Sequence, residues 1–150
     1  MTLEATRKLN QMTTFNTSRE IAASPDEIVA AFSDAERLAR WWGPAGFTNT
    51  FHTFEFETGG RWVYTMHSPH GGNPENESVF ELIEPNKIVI RHISQPLYRL
   101  AIDLTTSDKG SIVSWSQSFD DADVARRLEK IVVPANEQNL DKLMIELGLD

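Results

Sequence analysis

The stretch from Asp121 to Leu147 constrains the fold more than any other part of the chain. Val124, Leu128, Ile131, Ala135, Leu140, Leu143 and Leu147 recur at the spacing of one helix face, which predicts a single long helix. Nearly everything before it alternates as short strands, so the economical arrangement is that helix lying across one antiparallel sheet. Asn139 falls inside the apolar stripe and Asn136 at its border. An amide facing apolar side chains is unfavourable unless it has a partner. Another side chain, a buried water or a ligand would each serve, and the function turns on which it is.

Upstream, Thr13 to Ile21 reads as a first strand, with Phe15, Thr17, Arg19 and Ile21 on one face. Ser24-Pro25-Asp26-Glu27 opens a helix reaching about Phe32, with Ser at the N-cap, Pro at N1 and Glu at N3. Ser33-Asp34-Ala35-Glu36 repeats the capping logic and predicts a second short helix to about Arg40, which Trp41-Trp42-Gly43-Pro44 breaks. His52, Phe54 and Phe56 then alternate together before the turn at Thr58-Gly59-Gly60. Arg61 to His67 places Trp62, Tyr64 and Met66 on one face, and Ser68 to Pro74 is a loop. A hairpin is expected from Ser78 to Glu84 and Lys87 to Ile93, around Pro85-Asn86. Tyr98, Leu100, Ile102 and Leu104 alternate against polar residues, and after a turn at Ser107 to Gly110 so do Val113, Trp115, Gln117 and Phe119. Pro134 either kinks the long helix or starts its second half. The expectation is one α+β domain over residues 1–150, with 1–12 a lead-in segment.

Composition narrows the function. A chain of 150 residues buries enough surface for a core without staples. The absence of Cys removes disulfides, thiol catalysis and thiolate metal sites. A formal net charge of −8 argues against a broad basic face for nucleic acid or anionic membranes. No apolar run is long enough to span a membrane, and residues 1–10 lack a signal core, so the expected location is cytoplasmic.

Several motifs stand in one order along the chain: Ser24-Pro25-Asp26-Glu27-Ile28, Trp41-Trp42-Gly43-Pro44, Gly59-Gly60-Arg61-Trp62, Ile83-Glu84-Pro85, and Asn136-Glu137-Gln138-Asn139-Leu140-Asp141-Lys142-Leu143. With that order of elements, the chain from about Phe15 to Leu147 resembles the START-like superfamily, also called SRPBCC. Within it, the chain is similar to the family named after the activator of the ninety-kilodalton heat-shock chaperone's ATPase. The resemblance implies a helix-grip fold: a curved antiparallel sheet of six to seven strands around a long C-terminal helix, with two short helices after the first strand. It also implies a cavity between sheet and helix. The superfamily includes lipid and hormone carriers, polyketide cyclases and the co-chaperone domain, so it does not fix a reaction. No second domain matches the larger eukaryotic activator, which argues against chaperone binding; a homodimer is left open.

Pockets of about 300–1,000 Å³ are usual for such ligand sites. Trp62, Tyr64 and Met66 on one strand, with Trp115 and Phe119 on another, are expected either to form core or to line that cavity. Leu140 and Leu143 would supply the helix wall. Gln117, Asn136, Asn139 and His92 sit on or beside apolar faces; each singly is accounted for by a buried partner, and together they suggest polar anchors in an apolar pocket. Of Trp41 and Trp42, one is expected to plug the end of the sheet and the other, Trp42, to reach the pocket mouth or an interface.

The occupant expected is a small apolar or aromatic molecule, with no cofactor. Catalysis in the same cavity, or a protein-interaction surface at Trp41-Trp42, are the alternatives, and His92 is the one titratable candidate for catalysis. His67-Ser68-Pro69-His70 with Glu75 and Glu77 has the composition of a metal site but the spacing of a loop, so no metal is expected. Ser114, Ser116 and Ser118 lie on a polar strand face without a nucleophile elbow or a triad.

Overall fold

A computed structural model describes residues 13–149; the expected lead-in at residues 1–12 lies outside them. Strand β1 (Thr14–Ile21) is followed by helices α1 (Pro25–Ser33) and α2 (Ala35–Trp41). Strands β2 (Thr48–Phe54), β3 (Arg61–His67), β4 (Glu75–Glu84), β5 (Lys87–His92), β6 (Tyr98–Thr106) and β7 (Ser111–Phe119) then lead into the long helix α3 (Ala122–Glu146). The strands form one curved, open antiparallel sheet in the order β1-β7-β6-β5-β4-β3-β2. Strands β2 to β7 are therefore a meander, and β1 extends it at the β7 edge. This is the α+β helix-grip arrangement.

Local chemistry accounts for the helix boundaries. Ser24 Oγ accepts from Glu27 N at 3.1 Å while the Glu27 carboxylate accepts from Ser24 N, a reciprocal cap on α1. Asp34 caps α2 by accepting from Glu36 N and Arg37 N. The two helices bury Ile28, Ala31, Phe32, Leu38 and Trp41 against the sheet. Behind them lies an aromatic cluster in which Trp62 stacks on Phe80 and on Tyr64 and meets Trp42 edge-on. Each such ring removes roughly 150–250 Å² from water, so this cluster is the energetic centre of the core.

Three expectations need correction. A β-bulge between Phe51 and Thr53 breaks the alternation of β2, so Phe51 joins the core and His52 faces outward to Thr65. Trp41 and Trp42 are both buried, because the loop after α2 folds back under α3, so Trp42 reaches the cavity between sheet and helix without being exposed at the surface. On α3, Ile131 is 66% exposed. Its neighbour Val132 takes the inward position, in step with Ala135, Asn136, Asn139 and Leu143 at helical spacing. The amides therefore stand at the centre of the inward face. Pro134 lies inside a helix that runs unbroken from Ala122 to Glu146.

Candidate functional site

A half-enclosed cavity of about 120 Å³ lies between the sheet and the middle of α3. Val132, Ala135, Asn136 and Asn139 form its helix wall. Strand β6 contributes Tyr98 and Leu100, β7 contributes Trp115 and Gln117, and β3 contributes Met66. Leu100 and Gln117 are direct partners in the β6–β7 ladder, so the apolar and polar parts of the floor adjoin. Trp42, Gly43 and Pro44 close one end. Gly43 has φ +96°, and a side chain there would run into the Met66 methyl group at 2.8 Å, so a glycine is what lets the loop turn under the helix.

The two helix amides have different partners. Asn139 Oδ1 accepts from Gly43 N at 3.2 Å, and its Nδ2 donates to the Trp41 carbonyl at 2.8 Å. It is a backbone clamp for the loop after α2. Gln138 Oε1 accepts from Ala45 N, and Lys142 Nζ donates to the carbonyls of Trp42, Pro44 and Phe47, each at 3.3 Å. Burial holds the Lys142 pKa below its ordinary value, and those three carbonyls surround its ammonium. One turn earlier, Asn136 Nδ2 donates to Gln117 Oε1 at 3.1 Å across the cavity wall. That bond uses one donor of Asn136 and the oxygen of Gln117. Gln117 Nε2 and Asn136 Oδ1 hold no protein partner among the described residues.

A second site of about 120 Å³, between β1 and α3, shares Asn136 with the first and adds Phe15, Thr17 and Val133. Asn136 is therefore the wall common to the interior and to this outer depression. Arg19 ties the two elements together beside it by pairing with Asp141 at 2.6 Å and Glu137 at 3.5 Å.

Of the residues singled out from sequence, Trp42, Met66, Trp115, Gln117, Asn136 and Asn139 line the cavity. Trp62 and Tyr64 are buried in the aromatic cluster behind it, and Leu140 and Leu143 are buried core residues of α3 outside the lining. Phe119 packs on Phe15 and Tyr98 and borders a separate surface depression with Arg99 and Asp120. His92 stacks on Tyr98 with centroids 4.4 Å apart and does not line the cavity. Its Nδ1 lies 2.7 Å from the Pro96 carbonyl and its Nε2 2.8 Å from Asn76 Oδ1, so both ring nitrogens are engaged.

Sequence reasoning missed Tyr98, Leu100, Val132, Ala135, Gly43 and Pro44 as lining residues. Alternation on β6 already put Tyr98 and Leu100 on the inner face. The signal that would have found Val132 was its i+3, i+4 and i+7 relation to Ala135, Asn136 and Asn139. The size was also overestimated: about 120 Å³ stands where 300 Å³ or more was expected. The physical reason is the bulk of Trp42 and Trp115, whose centroids are 6.0 Å apart and which fill much of the space between sheet and helix.

The titratable groups at the wall and behind it have their neutral forms favoured by burial. Burial raises the Tyr98 hydroxyl well above its ordinary pKa, reinforced by the neighbouring Tyr64. Burial pushes Tyr64 up to about 12, against the pull of hydrogen bonding from Trp42. Burial lowers the His92 pKa, against the pull of the Pro96 carbonyl. No charged side chain is among the lining residues. Among the described residues no three His, Asp or Glu converge to hold a metal. His67, in the loop with metal-like composition, spends its nitrogens on Thr50 Oγ1 and Asn73 Oδ1.

The model of the family described as activator of Hsp90 ATPase homolog 1-like protein matches residues 22–148. Among solved structures, a protein from Chromobacterium violaceum is 21% identical, with 91% of this chain and 99% of that one covered and a TM-score of 0.79. A protein from Arthrobacter aurescens is 19% identical over 92% of this chain and 87% of its own, with a TM-score of 0.82. The AHSA1 protein from Silicibacter pomeroyi is 20% identical over 90% of this chain and 97% of its own, with a TM-score of 0.72. At these identities the likeness bears on the fold alone. No curated protein matches the sequence.

Proposed function

The chain belongs to the activator of Hsp90 ATPase homolog 1-like family, and from that premise we propose that it binds a small apolar or aromatic molecule between the sheet and α3. The observation that carries this reading is the division of labour between the two helix amides. Asn139 bonds the backbone of the Trp41–Gly43 loop through both its oxygen and its nitrogen. Asn136 and Gln117 satisfy each other only in part and keep a donor and an acceptor on the wall of an otherwise apolar cavity. Both groups are reached by solvent, and a ligand that takes the place of water there binds well only if it matches them. A one-ring molecule losing about 150–200 Å² of apolar surface at about 25 cal/mol per Å² gains roughly 4–5 kcal/mol before the cost of association.

Catalysis in the same cavity is less well supported. Its candidate, His92, lies behind Tyr98 with both nitrogens engaged. Tyr98, which does line the cavity, is held protonated. A co-chaperone-like surface at Trp41-Trp42 is also disfavoured, since both indoles are core.

The test is native mass spectrometry of the protein purified from its own host, compared with its denatured mass. A bound small molecule, lost on denaturation and absent from an Ala135→Phe variant that fills the cavity, is the expected result. A bare wild-type protein that takes up no small apolar compound from a panel would overturn the proposal.

A further inference from the structure

The wall chemistry narrows the occupant further, given the reading of this cavity as a ligand site. We infer that the site selects a neutral single-ring molecule whose polar edge both donates and accepts a hydrogen bond, as a phenolic hydroxyl or a ring lactam does.

Size sets the first limit. A cavity of about 120 Å³ is close to the engineered apolar cavity of about 150 Å³ that accepts benzene, so one ring fits and a steroid or an acyl chain does not. Shape sets the second. Trp42, Trp115 and Tyr98 put three aromatic rings on the lining, which favours a planar ring over a branched aliphatic group.

Charge sets the third. No Lys, Arg, Asp or Glu lines the cavity, so a carboxylate or an ammonium would lose its water without gaining a counter-charge. The hydrogen-bond pattern sets the fourth. Asn136 Nδ2 donates to Gln117 Oε1, which leaves Gln117 Nε2 and the second N–H of Asn136 as donors beside Asn136 Oδ1 as acceptor, and turning both amides over leaves the same mixture. Gln117 is 9% exposed and its spare N–H keeps contact with solvent, so a ligand there takes the place of water. Trp115, on the same wall, has an indole N–H that is buried without a partner. A ligand that only accepts would leave Asn136 Oδ1 unmatched, and one that only donates would leave Gln117 Nε2 unmatched. A hydroxyl answers both through one atom, and a ring lactam through two adjacent atoms.

The experiment is a titration of the wild-type protein, followed by tryptophan fluorescence and calorimetry, with phenol, 2-pyridone, anisole, toluene and benzoate. Phenol or 2-pyridone binding on the order of tenfold tighter than toluene and anisole, with benzoate weakest, is expected. Whichever of the two leads tells a hydroxyl from a lactam edge. In Gln117→Leu and Asn136→Leu variants that keep the wild-type circular dichroism, the preference over toluene should fall toward one while toluene still binds. Equal affinity of wild type for phenol and toluene would overturn this inference and leave the apolar binding site standing. Binding of none of the five would overturn the ligand site itself.

Discussion

At the scale of single residues, two asparagines one turn apart on α3 do different work, and substitution separates them. Asn139→Ala strands the Gly43 N–H and the Trp41 carbonyl in the core, each a loss of about 1–3 kcal/mol. Urea unfolding should therefore show a destabilisation of about 2–4 kcal/mol. Asn136→Ala removes one bond from a half-buried position whose partner Gln117 can turn to the cavity. The expected loss is under about 1 kcal/mol, with the effect appearing in ligand affinity. Equal destabilisation by the two changes would contradict the assignment. The sequence marked both amides as out of place but could not tell them apart. Their partners are a loop backbone more than ninety positions away for Asn139 and a strand residue nineteen away for Gln117 with Asn136, and no local pattern encodes either pairing.

At the scale of elements, the short helices and most strands were legible because their signals are local. The Ser24–Glu27 cap and the Asp34 cap are written in adjacent residues, and the alternation of β6 and β7 follows directly from the pleat. Reading failed where geometry departs from the period. The bulge at Phe51–Thr53 turned His52 outward, and adjacent branched residues at 131 and 132 left the face of α3 ambiguous by one position. That last point is testable. Ile131→Glu, at an exposed site, should change stability by no more than about 0.5 kcal/mol. Val132→Glu places an unpaired carboxylate at the cavity wall and should cost on the order of 3 kcal/mol or abolish folding. Thermal melts of the two variants side by side decide between Ile131 and Val132 as the inward residue.

At the scale of the whole molecule, charged clusters tie the long helix to β1 and to α2. Arg19 reaches Asp141 and Glu137 on one side, and Glu146 takes both Arg37 and Arg40 of α2 on the other. Behind the cavity, the buried His92, stacked on the half-buried lining residue Tyr98, makes stability depend on pH. Burial lowers the His92 pKa in the folded state, so in mild acid the unfolded chain binds the proton more readily. The contribution of His92 is therefore present above the ordinary histidine pKa of about 6.5 and is lost as pH falls below it toward the lowered folded value. Denaturation at pH 7.5 and 5.5 should show wild type losing stability that a His92→Gln variant does not lose.

On the proposed reading, Gln117 and Asn136 face an occupant while Asn139 holds the loop. The most direct measurement is the side-chain amide region of a ¹H–¹⁵N correlation spectrum recorded while a one-ring hydroxyl compound such as phenol is titrated in. Movement of the Gln117 and Asn136 NH₂ signals, with that of Asn139 unmoved, is the predicted result. Unmoved Gln117 and Asn136 signals at concentrations that saturate tryptophan quenching would contradict it.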